Sequence, residues 1–243
     1  MTSRQLGLTK TQTREAIGIA EYHGPRSQMM RCIDAPTMVK DGSGWGAMAG
    51  VSAGYLAHDG FTGAPAITME DPALNRFWSD LGQNWYIEQQ YIKLYPVCRW
   101  AQPAAEGAIA LVRKHGITTD QIVKIKVESF HEAKRLNVIP TNTEQAQYSL
   151  PFSVAVALIY GTISVAHITN NGLTDKDVLN LSKLVEISET DEFNSAFPAQ
   201  RFARVHLVLK SGKILSSEKT EAQGDPENKV SDTLIWDKFR TFT

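Results

Sequence analysis

Two lysines lie in stretches whose neighbouring residues could bind an anion. Lys40 precedes the glycine-rich sequence DGSGWGAMAG, and Lys93 begins KLYPVCRW, which also contains Arg99. Lysine and arginine close together suit a carboxylate, which arginine can bind through two parallel hydrogen bonds. A lysine withdrawn from water can also lose its proton near neutral pH and act as a base. The alternative is a solvated Lys40, and a loop in which Arg99 forms a surface ion pair.

The glycines of the first stretch allow two interpretations. Residues 42–47, GSGWGA, loosely fit the dinucleotide fingerprint G-x-G-x-x-G/A, but that motif follows a strand, and the preceding DAPTMVK is a poor strand because it contains Pro36. Gly46, Gly50 and Gly54 instead recur at four-residue intervals. On a helix they form a smooth stripe against which another backbone can pack closely. The spacing therefore favours packing over phosphate binding.

A third polar group lies at the start of an apolar run. Gln147, Tyr148 and Ser149 directly precede LPFSVAVAL. Polar side chains at such a break can point into a cleft. The alternative is a core helix that is kinked at Pro151 and capped by Ser149. Cys98 is a candidate nucleophile, although such a cysteine is more often simply buried.

The periodicity of the chain predicts the elements that position these residues. Apolar residues at helical spacing predict helices, and alternating apolar and polar residues predict strands. The predicted helices cover 9–24, 44–58, 71–83, 102–115, 143–161, 174–184 and 231–241. The predicted strands are 121–130 and 185–193, with a hairpin over 203–220 that turns at Ser211–Gly212. Helices come first and strands mixed with helices follow, which indicates the α+β class.

Composition argues against several classes of protein. The chain has 243 residues, 42% of them hydrophobic, and a formal net charge of −1 with scattered basic residues. Nucleic-acid binding requires a basic surface, and a membrane helix requires about 20 consecutive apolar residues. Neither pattern occurs, and the N-terminus lacks the apolar core of a secretory signal. Two cysteines, and six histidines without an HExxH pairing, predict no metal site, and we expect a cytoplasmic protein with reduced thiols.

Five segments of the sequence together carry a family resemblance. In chain order they are VKDGSGWGAMAGVSAGYLAHDGFTGAP, YIKLYPVCRW, AQYSLPFSVAVAL, FPAQRFARVHLVLKSGK, and GDPENKVSD followed by DKF. Their combination, over residues 6–239, closely resembles the MmgE/PrpD family, which includes 2-methylcitrate dehydratases, cis-aconitate decarboxylases and iminodisuccinate epimerases. The resemblance implies a lyase or isomerase that acts on a small di- or tricarboxylate by acid–base chemistry, without a cofactor.

The resemblance also implies a domain organisation. The family combines a large all-helical domain with a smaller α+β domain. Residues 1–87 correspond to a partial helical domain. Residues 88–222 correspond to the α+β domain, in which we expect a mainly antiparallel sheet, and residues 223–243 to a tail that returns toward the helical domain.

Site residues are implied in the same way. Lys40 and Lys93 match lysines of the family's site, so we predict both as catalytic residues that bind substrate carboxylates, one of them also serving as acid or base. The predicted substrate-binding residues are Cys98, Arg99, Gln102, Gln147, Tyr148 and Ser149. The sequence departs from the family at three positions: some members have histidine in place of Cys98, many have histidine in place of Gln102, and some have tyrosine in place of Phe152.

The resemblance covers only the later part of the family chain. The earlier part normally supplies histidines and an aspartate of the site. We therefore predict association with a complementary chain that carries the N-terminal half, or a homo-oligomer, because half of a helical domain leaves an apolar face uncovered. The alternative function is a non-catalytic or remnant subunit that completes or regulates a larger lyase.

Overall fold

The computed structural model describes residues 1–242, which divide into two compact units. Unit 1 contains Met1–Cys32 and Val39–Glu88, and unit 2 contains Ile33–Met38 and the chain from Gln89 onward. The segment predicted as a tail belongs to unit 2, and its return toward a helical domain stays a prediction. Among the described residues, none of the helices has both the length and the apolar character needed to cross a bilayer.

Unit 1 is helical. Its α-helices are α1 (Thr2–Gln5), α2 (Lys10–His23), α3 (Met29–Asp34, which ends within unit 2), α4 (Ser43–His58) and α5 (Ile67–Glu70). Thr9 starts α2 through a capping box with Gln12, whose backbone N lies 3.2 Å from Thr9 Oγ1. The helix predicted over 71–83 is a short 3₁₀ helix, Pro72–Phe77, followed by turns. Its side chains are mostly exposed, so little packing stabilises a longer helix.

Helices α2 and α4 pack through small side chains. The buried cluster between them consists of Ala16, Ile19, Ala53 and Ala57. A Cβ at Gly54 would lie 2.7 Å from Thr2 Cγ2, so glycine allows α1 to approach α4 closely. A Cβ at Gly50, in contrast, would meet nothing within 4 Å. The predicted small-residue stripe is therefore used for packing only at its C-terminal end.

The rest of the α4 surface is apolar and exposed. Its exposed large side chains are Trp45, Met48, Val51, Tyr55 and Leu56. Trp45 alone leaves 65% of its surface accessible. A helix that is apolar on most sides is normally buried, so this surface is the first feature of unit 1 that needs an explanation.

Unit 2 is built around a five-stranded mixed sheet. Its strands are β1 (Ile122–Ser129), β2 (Val185–Glu189), β3 (Phe202–Leu209), β4 (Ile214–Ser216) and β5 (Thr220–Glu221). The order is β2–β1–β3–β4, with β5 also paired to β3. β1 and β2 are parallel and the other three pairs are antiparallel. The predicted hairpin is present, with Gly212 at φ +83° in its turn. The α+β class with a mainly antiparallel sheet is confirmed.

One face of this sheet is covered by helices. Along β1 and β3, Ile125, Val127, Val205 and Leu207 are fully buried, whereas the residues between them are polar and more exposed. The α-helices of unit 2 are α6 (Gln102–His115), α7 (His131–Lys134), α8 (Thr143–Gln147), α9 (Leu150–Tyr160), α10 (Val165–Ile168), α11 (Lys176–Ser182), α12 (Asp191–Ala196) and α13 (Asp232–Phe242). Helix α6 packs against both β3 and α9 to form the core.

Two predicted elements of unit 2 are divided in the structure. The helix predicted over 143–161 is interrupted between α8 and α9, where Ser149 caps the second helix and Pro151 occupies its first turn. The strand predicted over 185–193 ends at Glu189, because the Thr190 side chain accepts from the backbone of α12 and starts that helix. Both breaks result from capping side chains.

Candidate functional site

The segment that leads into Lys93 is held by the backbone of unit 2. Ile92 N donates a 2.9 Å hydrogen bond to the carbonyl of Gly224. A Cβ at position 224 would lie 2.1 Å from Ile92 O, and Gly224 adopts φ +99°. Only glycine tolerates both this conformation and this close approach. The turn formed by residues 222–225 therefore fixes the chain directly before Lys93.

The Arg99 side chain binds this same turn. It is 4% exposed, and its Nη1 donates to the carbonyl of Gln223 at 2.6 Å and to Gln102 Oε1 at 3.4 Å. Its Nη2 donates to the carbonyl of Ala222 at 3.2 Å and to the carboxylate of Asp225. The four protons of the two terminal nitrogens thus have four acceptors within the protein. These contacts are those of a buried structural ion pair, and the predicted grip of Arg99 on substrate stays a prediction.

The positive charge of Arg99 lies near two acidic side chains, Asp225 on the turn and Glu221 directly before it. Burial, and then the charge of Asp225, raise the pKa of Glu221. The Arg99 guanidinium carbon also lies 4.5 Å from the centre of the Tyr91 ring, two residues before Lys93. The arginine therefore also joins the turn to the segment that leads into Lys93.

Gln102 fixes the bend around Pro96. It is 1% exposed, and its Nε2 donates to the carbonyls of Tyr95 at 3.2 Å and Val97 at 3.1 Å. Both amide protons are therefore used inside the protein. The Tyr95 hydroxyl donates to Glu106 Oε1 at 2.9 Å, and burial followed by the Glu106 charge raises the pKa of Tyr95. The predicted contact of Gln102 with substrate stays a prediction.

The structure brings the segment KLYPVCRW next to the polar group formed by residues 147–149. Cys98 N donates a 2.7 Å hydrogen bond to the carbonyl of Gln147. Cys98, Gln147 and Tyr148 are all partly exposed. Ser149 is buried, donates its hydroxyl to the carbonyl of Val138 and accepts from the backbone of α9, as in the capping interpretation. Phe152, the third departure from the family, is fully buried in the core.

Lys93 presents its side chain to solvent beside a second lysine. Its main-chain carbonyl accepts a hydrogen bond from Lys238 Nζ on α13. Burial, and then the positive charge of Lys93, lower the pKa of Lys238. The two ammonium groups therefore lie near each other and create a positive region that suits an anion. Sequence reasoning missed Lys238, although it is the lysine of the DKF triplet in the last matching segment.

Lys40 belongs to unit 1. It is exposed in the connection between α3 and α4, and its role, together with its predicted convergence with Lys93, stays a prediction. The other seven predicted site residues belong to unit 2, and the hydrogen bonds above link the segments that carry them. Within the described chain, no three histidine, cysteine or acidic side chains are grouped so as to hold a metal ion.

The fold and this anchored loop define an α+β protein with a candidate anion site. Residues 95–243 match the family model described as the MmgE/PrpD C-terminal domain. This match covers more than half of the chain, and the chain belongs to the MmgE/PrpD family.

Individual relatives agree with this assignment. Over 258 residues the chain is 24% identical to cis-aconitate decarboxylase of Mus musculus, an alignment that covers 98% of this chain and 51% of the relative. The Homo sapiens enzyme of the same name is 23% identical, with 98% and 52% covered. The mitochondrial 2-methylcitrate dehydratase of Yarrowia lipolytica is 26% identical, with 88% and 45% covered. The chain thus spans about half the length of the curated relatives it matches.

Proposed function

We propose that this chain carries part of the site of a lyase that dehydrates or decarboxylates a small di- or tricarboxylate, or of an isomerase for the same class of acid. Family membership and the names of the relatives support this proposal. The observation that carries it is the loop from Lys93 to Arg99. Its backbone is anchored at several points, while the Lys93 side chain remains exposed. A fixed backbone with an exposed cation is a suitable receptor for a carboxylate.

The proposed chemistry begins with removal of a proton next to a carboxylate. Negative charge then develops on that carboxylate, and a positioned ammonium group stabilises it. In dehydration the neighbouring hydroxyl then takes a proton from an acid group and leaves as water, and in epimerisation the proton returns to the other face. In decarboxylation carbon dioxide leaves instead, and the carbanion that remains takes up a proton. We assign carboxylate binding to Lys93 and Lys40, with one of the two also serving as acid or base.

The contacts of unit 2 suggest a division of roles among the remaining candidates. Arg99, Gln102 and Ser149 use their side chains to hold the loop and α9, and we propose them as positioning residues. Cys98, Gln147 and Tyr148 are partly exposed beside the loop, and we keep them as candidates for substrate contact.

The test of the activity is turnover. Purified chain, alone and co-expressed with the product of any adjacent reading frame, is incubated with cis-aconitate, 2-methylcitrate and related succinate-like acids and followed by proton NMR. We expect Lys93→Ala to lower turnover by about 100-fold or more, because a group that stabilises the developing charge is lost. Lys183→Ala is the control, since Lys183 is an exposed lysine at the end of α11. Retained turnover in Lys93→Ala with an unchanged circular dichroism spectrum contradicts the assignment.

We also propose that a complementary chain covers the apolar surface of α4. The exposed Trp45, Met48 and Val51 and the half-length coverage of the relatives support this proposal. Sedimentation velocity of the chain alone and after co-expression measures it. Association that Trp45→Ser weakens supports the proposal. The alternative outcome is a homodimer, in which a second copy of this chain covers the same surface. A stable monomer that recruits no co-expressed chain contradicts the proposal.

A non-catalytic subunit is the second candidate function. The half-length coverage is the observation that favours it. In that case, co-expression yields an active complex whose turnover is unchanged by Lys93→Ala. A loss of turnover in the complex with this variant favours the catalytic proposal instead.

A further inference from the structure

We infer that Lys238 is a further cationic residue of the carboxylate site and positions Lys93 within it. This inference rests on the proposed function, because it concerns the same ligand class and the same loop. The geometry that points to it is the hydrogen bond from Lys238 Nζ to the main-chain carbonyl of Lys93. The two residues are separated by 145 positions in the chain, so the contact is made by the fold and not by local sequence.

Helix α13 presents Lys238 toward the loop. From Asp232 to Thr241, only Ile235 and Lys238 are partly buried, and they are three residues apart on one helical face. The outward-facing Arg240 instead pairs with Asp237 on the same helix, at 3.3 Å. A lysine at such a surface normally extends its ammonium into water. Lys238 instead directs its ammonium to the backbone of the segment that carries Lys93.

The contact completes a clamp on the backbone around Lys93. Ile92 N is bonded to the carbonyl of Gly224, and the carbonyl of Lys93 is bonded to Lys238. Two backbone polar groups, one in the residue before Lys93 and one in Lys93 itself, are thus held by two different parts of unit 2. The main chain of Lys93 is fixed, and the side chain keeps its freedom to reach a ligand.

The ammonium groups of Lys93 and Lys238 repel each other, and an anion bound to both would offset this repulsion. Burial and the Lys93 charge already lower the pKa of Lys238. A carboxylate bound at both ammonium groups would offset this repulsion and favour the charged form of Lys238. Anion binding and protonation of Lys238 are therefore linked, so a bound polycarboxylate should raise the pKa of Lys238.

The test uses the full chain and tricarballylate, a tricarboxylate that has no hydroxyl group or double bond and so cannot be dehydrated. Calorimetry measures its affinity, with acetate as a monoanion for comparison. We expect Lys238→Met to weaken tricarballylate binding about tenfold or more, the effect of losing one charge-assisted hydrogen bond, and to change acetate binding little. Lys238→Arg should restore part of the affinity. Arg240→Met, on the outer side of α13, is the matched control and should leave it unchanged.

A second measurement separates positioning from general stability. Titration of the Lys238 ammonium group by NMR, after isotopic methylation of the lysines, should show its pKa rise in Lys93→Met and rise again in wild-type protein saturated with tricarballylate. A purely structural lysine would show the rise in Lys93→Met but no response to the ligand. This readout also decides the question if Lys238→Met does not fold.

The outcomes distinguish this inference from the proposed function. If Lys93→Met abolishes tricarballylate binding while Lys238→Met binds normally and the Lys238 titration ignores the ligand, the inference is wrong and the lyase proposal stands. If wild-type protein binds tricarballylate no better than acetate, both are wrong. If both variants bind weakly and the Lys238 pKa follows the ligand, both are supported.

Discussion

Helices α4 and α9 are both apolar but lie in opposite environments. Both are rich in alanine and large apolar residues, with few charges to mark an outer face. In α9, every residue from Leu150 to Leu158 is buried in unit 2. In α4, only Ala53, Gly54 and Ala57 are buried. A helix that is apolar on all sides requires partners on all sides, so α9 lies in a completed core and α4 in one that the described residues leave incomplete.

Buried polar groups show the same difference. The described residues that are both polar and buried, such as Arg99, Gln102 and Ser149, belong to unit 2. Each of these three is hydrogen-bonded, and together they hold the loop that carries Lys93. Satisfied polar networks specify one arrangement of a core. Unit 2 therefore has an ordered polar network around the candidate site, whereas unit 1 exposes an apolar helix surface.

Truncation of one large side chain in each unit gives the largest expected contrast. Phe152→Ala in α9 should lower the free energy of unfolding by about 3–5 kcal/mol, because a fully buried ring leaves a cavity. Trp45→Ala in α4 should change it by about 0.5 kcal/mol or less in the isolated chain. Urea denaturation followed by circular dichroism measures both. A large loss for Trp45→Ala would mean that α4 is already covered in solution.

An arginine from each unit gives the next contrast. Arg99→Met removes one partner of a buried ion pair and leaves Asp225 without compensation, so we expect a loss of about 3 kcal/mol in unfolding free energy. Arg14→Met breaks the exposed pair with Glu70 on unit 1 and should change stability little. Thermal denaturation at neutral pH compares them. Equal effects would remove the distinction between the polar networks of the two units.

The sequence predicted local features well because their causes are local. The predicted helices 9–24 and 102–115 agree with α2 and α6 to within one residue at each end, where the structure shows a capping box of Thr9 with Gln12 and a left-handed Gly116. The turn at Gly212 likewise marked the hairpin. By contrast, the order of the strands and the parallel pairing of β1 with β2 depend on contacts far apart in the chain. Periodicity carries no information about such contacts.

The candidate site shows the same limit. Residue types and the family resemblance identified Lys93 and the loop after it. The partners of that loop, Asp225 and Lys238, lie more than 120 residues away along the chain, with no local signal to connect them. The structure therefore changes the interpretation of Arg99 from an exposed cation to a buried anchor, a difference that only tertiary contacts create.

Glycine substitutions sharpen the comparison within unit 2 itself. Gly224→Ala should lower the free energy of unfolding by about 2 kcal/mol or more, since both its positive φ and its contact with Ile92 oppose a side chain. Gly212→Ala has a similar φ but open space around its Cβ, so about 1 kcal/mol is expected. Denaturant unfolding gives both values. If the two losses in unfolding free energy are equal, the turn can move away from Ile92 without cost, and their close approach does not contribute to stability.

The smallest expected effect concerns one surface carboxylate in each unit. Hydrogen bonds from Lys134, at 3.0 Å, and from His131 lower the pKa of Glu189 in unit 2 from 4.5 to about 2. A hydrogen bond from Arg14 lowers the pKa of Glu70 in unit 1. A carboxylate with a lowered pKa contributes stability above its ordinary pKa, and that contribution is lost as the pH falls toward the folded-state value.

For Glu189 this window runs from pH 4.5 down to about 2. The melting temperature of Glu189→Gln should therefore lie slightly below that of the wild type at pH 6, and the gap should close as the pH approaches 2. Carboxyl NMR titration checks the midpoints directly, with Glu70→Gln as the matched variant on unit 1. A gap that stays constant from pH 6 to pH 3 would show that the Glu189 network contributes through packing and not through charge. In that case the hydrogen bonds of Glu189 would stabilise the surface of unit 2 in the same way as its buried polar contacts, and their contribution would not depend on pH.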